Sequence, residues 1–292
     1  MSAPELNTRS RDLSIRGLRY RIYEWGESGR PPLLLLHGWM DSGITFRFLA
    51  HALGSNFHCL APDWRGFGHT DRASGGYWFA DYLADLDVLL ERLFPERAVT
   101  LVGHSMGGNV ACLYAGVRPR RVQYLISIEG FGLAESEPGE APERYSRWLD
   151  SLREPLQARR LNSYAALAEY LLQRQPGLDR ERAEALARDW AYHTDDGVFL
   201  RGDPAHRRPN PVLYRLDEAM ACWRRITAPV LWVYGERSAY VAKLRELGDW
   251  AQRTGCFRNF REAPVPESGH SVHHEQPQAL ARAMRSFLGT HE

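Results

Sequence analysis

Residues 101–116 read LVGHSMGGNVACLYAG. A short β-prone apolar run ends at Val102, Gly103-His104-Ser105-Met106-Gly107 follows, and from Met106 onward apolar residues recur at helical spacing. A strand that turns directly into a helix forces the residue at the bend into a strained backbone and lifts its side chain above the sheet; glycines two positions to either side make room. Ser105 occupies that bend. It also stands at a helix start, where the amide of Met106 faces any negative charge forming on a bound carbonyl oxygen. A serine that merely caps a helix in a tight connection would look the same over these five residues. The surrounding pattern has to separate the two.

Outward from this stretch, strand-like and helix-like patterns alternate. Residues 13–15 and 19–25 read as two strands turned at Gly17, and 33–36 (LLLL, between prolines and His37-Gly38) reads as a strand buried on both faces. A helical pattern over 42–53, a strand over 57–61 and an amphipathic helix over 77–93 follow, the last stopped by Pro95. Residues 99–102 are a strand, 106–117 a helix and 122–128 a strand. This rhythm predicts an α/β fold with a mostly parallel sheet covered on both faces. It breaks from about Gly132 to Cys222, where arginine, glutamate and alanine dominate, helical windows fall at 142–152, 161–173 and 180–192, and no buried-strand run is seen. The α/β pattern resumes at Ile226, with strands at 229–234 and 257–262 and helices at 241–254 and 277–288. The expected organisation is a core of residues 1–133 and 223–292 with a helical insertion at 134–222.

Two further motifs fall at strand ends. His37-Gly38-Trp39 leaves the buried strand 33–36, and the amide of Trp39 is positioned to join that of Met106 as a second donor to an oxyanion; His37 itself reads as a loop-packing residue. Ser268-Gly269-His270-Ser271-Val272-His273-His274-Glu275-Gln276-Pro277 lies between the last strand and the last helix. A hydroxyl of ordinary pKa is a poor nucleophile at neutral pH, so Ser105 needs a positioned imidazole to take its proton and return it to the leaving group. Of eleven histidines, His270 is the candidate base. His273 and His274, close to Pro277, read as the start of a helix. A three-histidine metal site lacks a supporting acidic motif, and no metal is expected.

Composition narrows the partners. The 292 residues carry 37 lysines and arginines against 36 aspartates and glutamates, so no charge excess draws nucleic acid or an anionic membrane. Cys59, Cys112, Cys222 and Cys256 show no metal spacing and read as free thiols in a reducing compartment. The amino-terminal MSAPELNTRSRD has no apolar run for a signal peptide, and no stretch is long enough for a membrane span. A cytoplasmic protein acting on a small molecule is expected; the composition leaves the oligomeric state open.

Taken in order, LLLLHGW, APDWRGFGHTD, VGHSMGG and SGHSVHHEQP make the chain resemble the α/β-hydrolase fold superfamily, in its capped form, over nearly all residues outside the insertion. The resemblance implies an eight-stranded, mostly parallel sheet, a Ser-acid-His triad, no cofactor, and a helical cap inserted after the sixth strand. In many capped relatives the acid follows the seventh strand, but in LWVYGERSAY that place is taken by Ser238. The family's other solution puts the acid after the sixth strand, where LISIEGFGL offers Glu129. The triad read here is Ser105-Glu129-His270, with Glu236 as the alternative acid and Asp63 as a turn-former in the DWRGFG loop. Haloalkane dehalogenases and epoxide hydrolases resemble the chain but attack with an aspartate at the position of Ser105, which leaves acyl transfer as the chemistry here.

For the substrate, Trp39, His104, Trp148 and Trp190 are the contact candidates, and Tyr164, Tyr170, Tyr192 and Phe199 are further aromatics of the insertion that serve equally as helix packing. Arg144, Arg147, Arg153, Arg159 and Arg160 can meet an anionic head group or form a solvated face. The reading is a cofactor-free serine hydrolase acting on a carboxylic ester or thioester. A carbon-carbon bond hydrolase for diketones and a ligand-binding protein without turnover are the alternatives on the same scaffold.

Overall fold

The computed structural model describes residues 6–290; the first five residues of the amino-terminal stretch read above, and the last two of the chain, lie outside it. The chain opens with an antiparallel hairpin, β1 (Arg9–Ile15) and β2 (Leu18–Trp25). Arg16 and Gly17 both take positive φ, 46° and 81°, the geometry a two-residue hairpin loop requires. Then come β3 (Pro32–Leu36), α1 (Arg47–Leu53), β4 (His58–Pro62), α2 (Phe79–Leu93), β5 (Val99–His104), α3 (Met106–Val117) and β6 (Val122–Ile128). After β6 the chain leaves the sheet for α4 (Ala141–Ser151), β7 (Arg160–Leu161), α5 (Tyr164–Arg174), α6 (Arg180–Trp190), β8 (Ala191–Thr194), β9 (Gly197–Leu200) and α7 (Leu216–Trp223). It returns with β10 (Val230–Gly235), α8 (Ala239–Glu246), α9 (Trp250–Thr254), β11 (Phe260–Val265), α10 (Val272–Glu275) and α11 (Pro277–Leu288).

Eight strands form one sheet in the order β1-β2-β4-β3-β5-β6-β10-β11. Only the pairs that involve β2 are antiparallel; from β4 to β11 every pair is parallel. Successive side chains of a strand point to opposite faces, and β3 shows the result. Leu34 and Leu36 enter the core shared with α2, α3 and α7, while Leu33 and Leu35 enter the core shared with α1 and α11. Each such leucine contributes about 1.5–3 kcal/mol by leaving water, which is why an unbroken apolar run is stable only in this doubly covered position.

Two elements differ from their sequence expectation. The pattern over 241–254 is divided into α8 and α9 by Gly248, whose φ of +76° no helix tolerates. The insertion, expected to be purely helical, also holds a three-stranded antiparallel sheet, β7-β9-β8. Its strands have two to four residues, too few for a two-residue alternation to register, and β8 begins where α6 ends, inside the helical pattern that ran to Tyr192. Leu167, Leu171, Leu186, Ala187 and Val198 give the inserted segment a small core of its own. α7, within the stretch read as insertion, packs instead on α3 of the main core; a Cβ on Gly116 would lie 2.5 Å from the carbonyl carbon of Cys222. Among the described residues no helix is long and apolar enough to cross a membrane, and all four cysteines are free.

One buried cation fixes the chain where it departs from β6. Arg253 on α9 is fully buried, donates to the carbonyls of Phe131 (2.7 Å) and Leu133 (2.8 Å), and pairs with Asp249 at 2.7 Å. Arg253→Met would leave two carbonyls and a carboxylate without donors, so equilibrium urea unfolding is expected to show a loss of about 3–5 kcal/mol. A loss within about 1 kcal/mol, the usual worth of an exposed pair, would refute this role.

Candidate active site

The carboxyl ends of the parallel strands converge on one edge of the sheet, the usual place for a site in an open α/β fold. At the end of β5, Ser105 has φ 50° and ψ −114° and its amide donates to the Ile128 carbonyl at 2.8 Å. A non-glycine residue in that region stores about 1–3 kcal/mol of strain. It is held because α3 is pressed against the strand ends. A Cβ on Gly107 would lie 2.7 Å from the His37 carbonyl oxygen, and one on Gly103 2.5 Å from the backbone of Gly107. Side chains at either position would push the helix away and release the bend.

His270 reaches the same place from the other end of the chain. Its backbone carbonyl lies 3.0 Å from Nε2 of His104, the residue before Ser105. Its ring lies tilted against that of His104 (centroids 4.9 Å) and edge-on to that of Tyr240 (5.3 Å). Its loop is shaped by Glu275, a residue the sequence reading did not single out: the carboxylate accepts from the amides of Gly269 (2.9 Å) and Ser271 (3.2 Å).

Glu129 follows β6 with φ 54° and is 1% exposed. Its Oε1 accepts from the Gly235 amide at 2.8 Å, and its Oε2 accepts from the Ser238 hydroxyl at 2.6 Å and lies 2.5 Å from His270 Nδ1. With Nδ1–H donated to a carboxylate, Nε2 of a neutral imidazole is the nitrogen left to accept a proton. Ser238 therefore braces the Glu129 carboxylate that follows the neighbouring strand. It also caps α8. Glu236, the alternative acid, is exposed to solvent.

Asp63 is buried and accepts from the amides of Gly43 (2.6 Å) and His69 (2.8 Å), tying the DWRGFG loop to the start of the first helical segment; burial pushes its carboxyl up to about 7. His37 is fully buried, its Nε2 accepting from the Trp64 amide (2.9 Å) and its Nδ1 facing the Gly38 carbonyl (2.7 Å). Burial, opposed only in part by Asp41, lowers its pKa from 6.5 to about 4. The folded chain thus binds fewer protons than the unfolded one, and this contribution is whole above pH 6.5 and falls away below it. At pH 5 the loss is about 2 kcal/mol. Urea unfolding at pH 7 and pH 5 is expected to show wild type losing about that much more than His37→Asn; equal losses would show that His37 does not carry it.

Next to the elbow, a cavity of about 380 Å³ is lined by Met106 and Trp39 together with Tyr77, Trp78, Trp148 and Leu152, while Ser105 and His270 lie outside its lining. Of the four substrate-contact candidates, Trp39 and Trp148 are at this cavity. His104 and Trp190 are not. His104 is buried between His270 and His273, and Trp190 donates to Asp41 Oδ1 at 2.8 Å. One ring nitrogen of each faces a group within the protein, His104 Nε2 the His270 carbonyl and Trp190 Nε1 the Asp41 carboxylate. Trp78 packs edge-on against Trp148 at 6.1 Å, and with Tyr77, His206 and Arg208 it belongs to the lining that sequence patterns missed. Of the arginines read as a candidate anion site, Arg144, Arg147 and Arg153 pair with acids on their own helix or its end.

A family model described as the alpha/beta hydrolase fold matches residues 31–277. The chain belongs to the α/β-hydrolase fold family. This α/β hydrolase is 25% identical over 283 residues to a serine hydrolase-like protein of Danio rerio, covering 90% of this chain and 83% of that one. It is 26% identical to 2-(acetamidomethylene)succinate hydrolase of Mesorhizobium japonicum, covering 96% and 95%. Among solved structures, a thioesterase domain from the curacin biosynthetic pathway superposes with a TM-score of 0.85 at 26% identity, covering 96% of this α/β hydrolase and 99% of that chain.

Proposed function

We propose that this α/β hydrolase cleaves a carboxylic ester or thioester without a cofactor, through an acyl-enzyme on Ser105. The observation that carries the reading is the buried Glu129 carboxylate, braced by Ser238 and Gly235, joined to Nδ1 of an imidazole packed against the serine elbow. In this mechanism His270 Nε2 takes the proton of Ser105 as Oγ attacks the carbonyl carbon, and Glu129 stabilises the imidazolium that forms. The amides of Met106 and Trp39 receive the oxyanion. His270 then protonates the leaving alcohol or thiol, and a water deprotonated by the same imidazole releases the acid. The aromatic walls at Trp39, Trp78 and Trp148 suit an apolar portion of the substrate. The thioesterase domain and the hydrolase among the relatives support carbonyl hydrolysis as the reaction class.

Incubation with a fluorophosphonate should label one serine, located at Ser105 by peptide mass analysis, and a panel of p-nitrophenyl esters and acyl thioesters should show turnover. Protein that neither labels nor turns over any member of the panel would not be a serine hydrolase, whatever its fold.

A further inference from the structure

Next to His104 of the elbow, whose ring contacts that of His273, three buried side chains face one another. His273 and His274 lie on α10, and Asp41 lies on the loop after β3, 232 positions away from His273 in the chain. None exceeds 6% exposure. We propose that Asp41 Oδ2, His273 Nε2 and His274 Nε2 form a binding site for a divalent transition metal of the zinc type. The proposal does not depend on the hydrolase reading.

The spacing is the first argument. Both imidazole nitrogens approach the same carboxylate oxygen, His273 Nε2 at 3.3 Å and His274 Nε2 at 3.5 Å, and one ligand atom from each residue can be chosen so that all three lie within 4.8 Å. A charge-assisted hydrogen bond to a carboxylate closes to about 2.7–2.9 Å, so these contacts are too long to be good ones. They do match the edge of a tetrahedron around an ion with bonds of about 2.0–2.1 Å to nitrogen and oxygen, which is about 3.3–3.4 Å.

Unpartnered nitrogens are the second. Neither Nδ1 nor Nε2 of His274 has a hydrogen-bond partner, and Nδ1 of His273 has none either. A buried polar group left unsatisfied costs about 1–3 kcal/mol, and an ion bound by His274 would relieve that cost at one of its nitrogens. Asp41 supplies the contrast. Its other oxygen, Oδ1, is saturated: it accepts from the Ser42 amide (2.8 Å), the Thr45 hydroxyl (3.0 Å) and Trp190 Nε1 (2.8 Å). Those three donors hold the carboxylate with Oδ2 turned to the imidazoles, the arrangement by which outer partners orient a metal-ligating carboxylate.

A small cavity lined by Met40, Ser42, Asp189 and Trp190 reaches Asp41. Three protein ligands leave a fourth position for water. Because α10 follows His270 directly, an ion here would tether the segment that carries His270 to the loop after β3.

The test uses the full chain, stripped with a chelator and titrated with Co²⁺ and then Zn²⁺. One equivalent of Co²⁺ should produce the intense visible absorption of a four-coordinate ion, Zn²⁺ should bleach it, and either metal should raise the unfolding temperature by mass action. His274→Gln and Asp41→Asn should each weaken Zn²⁺ binding roughly tenfold or more, while a change at the exposed His193 should leave it unaltered. His274→Gln removes no hydrogen bond, so it should fold in the absence of metal and keeps the test valid if Asp41→Asn does not. Weak six-coordinate absorption, or Zn²⁺ affinity unchanged by His274→Gln, would overturn the proposal and mark any bound ion as a surface contaminant.

Discussion

Ser105→Ala is expected to lower ester turnover about 10⁶-fold, equivalent to about 8 kcal/mol of transition-state stabilisation. The change removes the attacking oxygen and nothing that shapes the cavity, so KM should move little while kcat collapses. The fold should be unaffected, because alanine at this position inherits the same φ of 50° and the same amide bond to Ile128. A residual rate about 10³-fold above the uncatalysed one should persist from the backbone donors and substrate binding alone. Fluorophosphonate labelling should vanish with the oxygen. A fall of less than about 100-fold, with unaltered folding, would mean that Ser105 is not the nucleophile.

Glu129→Gln carries the next largest expected effect, about 10⁴-fold in kcat. The carbonyl oxygen of glutamine can still accept from the Gly235 amide, and its amide nitrogen, at the place of Oε2, can donate to the Ser238 hydroxyl, so the loop and strand end should hold. Its amide nitrogen, however, would donate to His270 Nδ1 and drive the proton to Nε2, where the base needs a lone pair. The tautomer would be wrong although the geometry is intact. Ser238→Asp placed in the Glu129→Gln background should recover part of the rate, since the Ser238 hydroxyl lies 2.6 Å from the oxygen that faces His270. Ser238→Ala by itself removes one of three hydrogen bonds to the carboxylate and should cost about 1 kcal/mol, roughly fivefold. Full activity in Glu129→Gln, with loss in Glu236→Gln, would transfer the acid role to Glu236.

The helix over 106–117 and the strand over 122–128 were readable to the residue because each carries its own boundary: the glycine-flanked bend before one, Pro119 and the following apolar run before the other. The short strands of the insertion were not, since two to four residues lack a period. His104 and Trp190 were drawn toward the substrate in the sequence reading because both sit near recognisable motifs or within an aromatic-rich segment. Nearness along the chain says nothing about which way a ring turns. His104 Nε2 faces the His270 carbonyl and Trp190 Nε1 donates to Asp41, groups 166 and 149 positions distant.

From the residue order alone came the parallel sheet, the bend at Ser105, the loop at His37-Gly38-Trp39 and the short list of acids and imidazoles, because each is written in contiguous residues that obey local rules of turn, period and capping. Only the folded chain decided that Glu129 rather than Glu236 meets His270, that Ser238 braces it, that Trp78 and Trp148 wall one cavity, and that Asp41 faces His273 and His274. Those pairings join residues from separate strand ends. Their selection depends on how the sheet and the inserted segment close over one another, which no local rule contains.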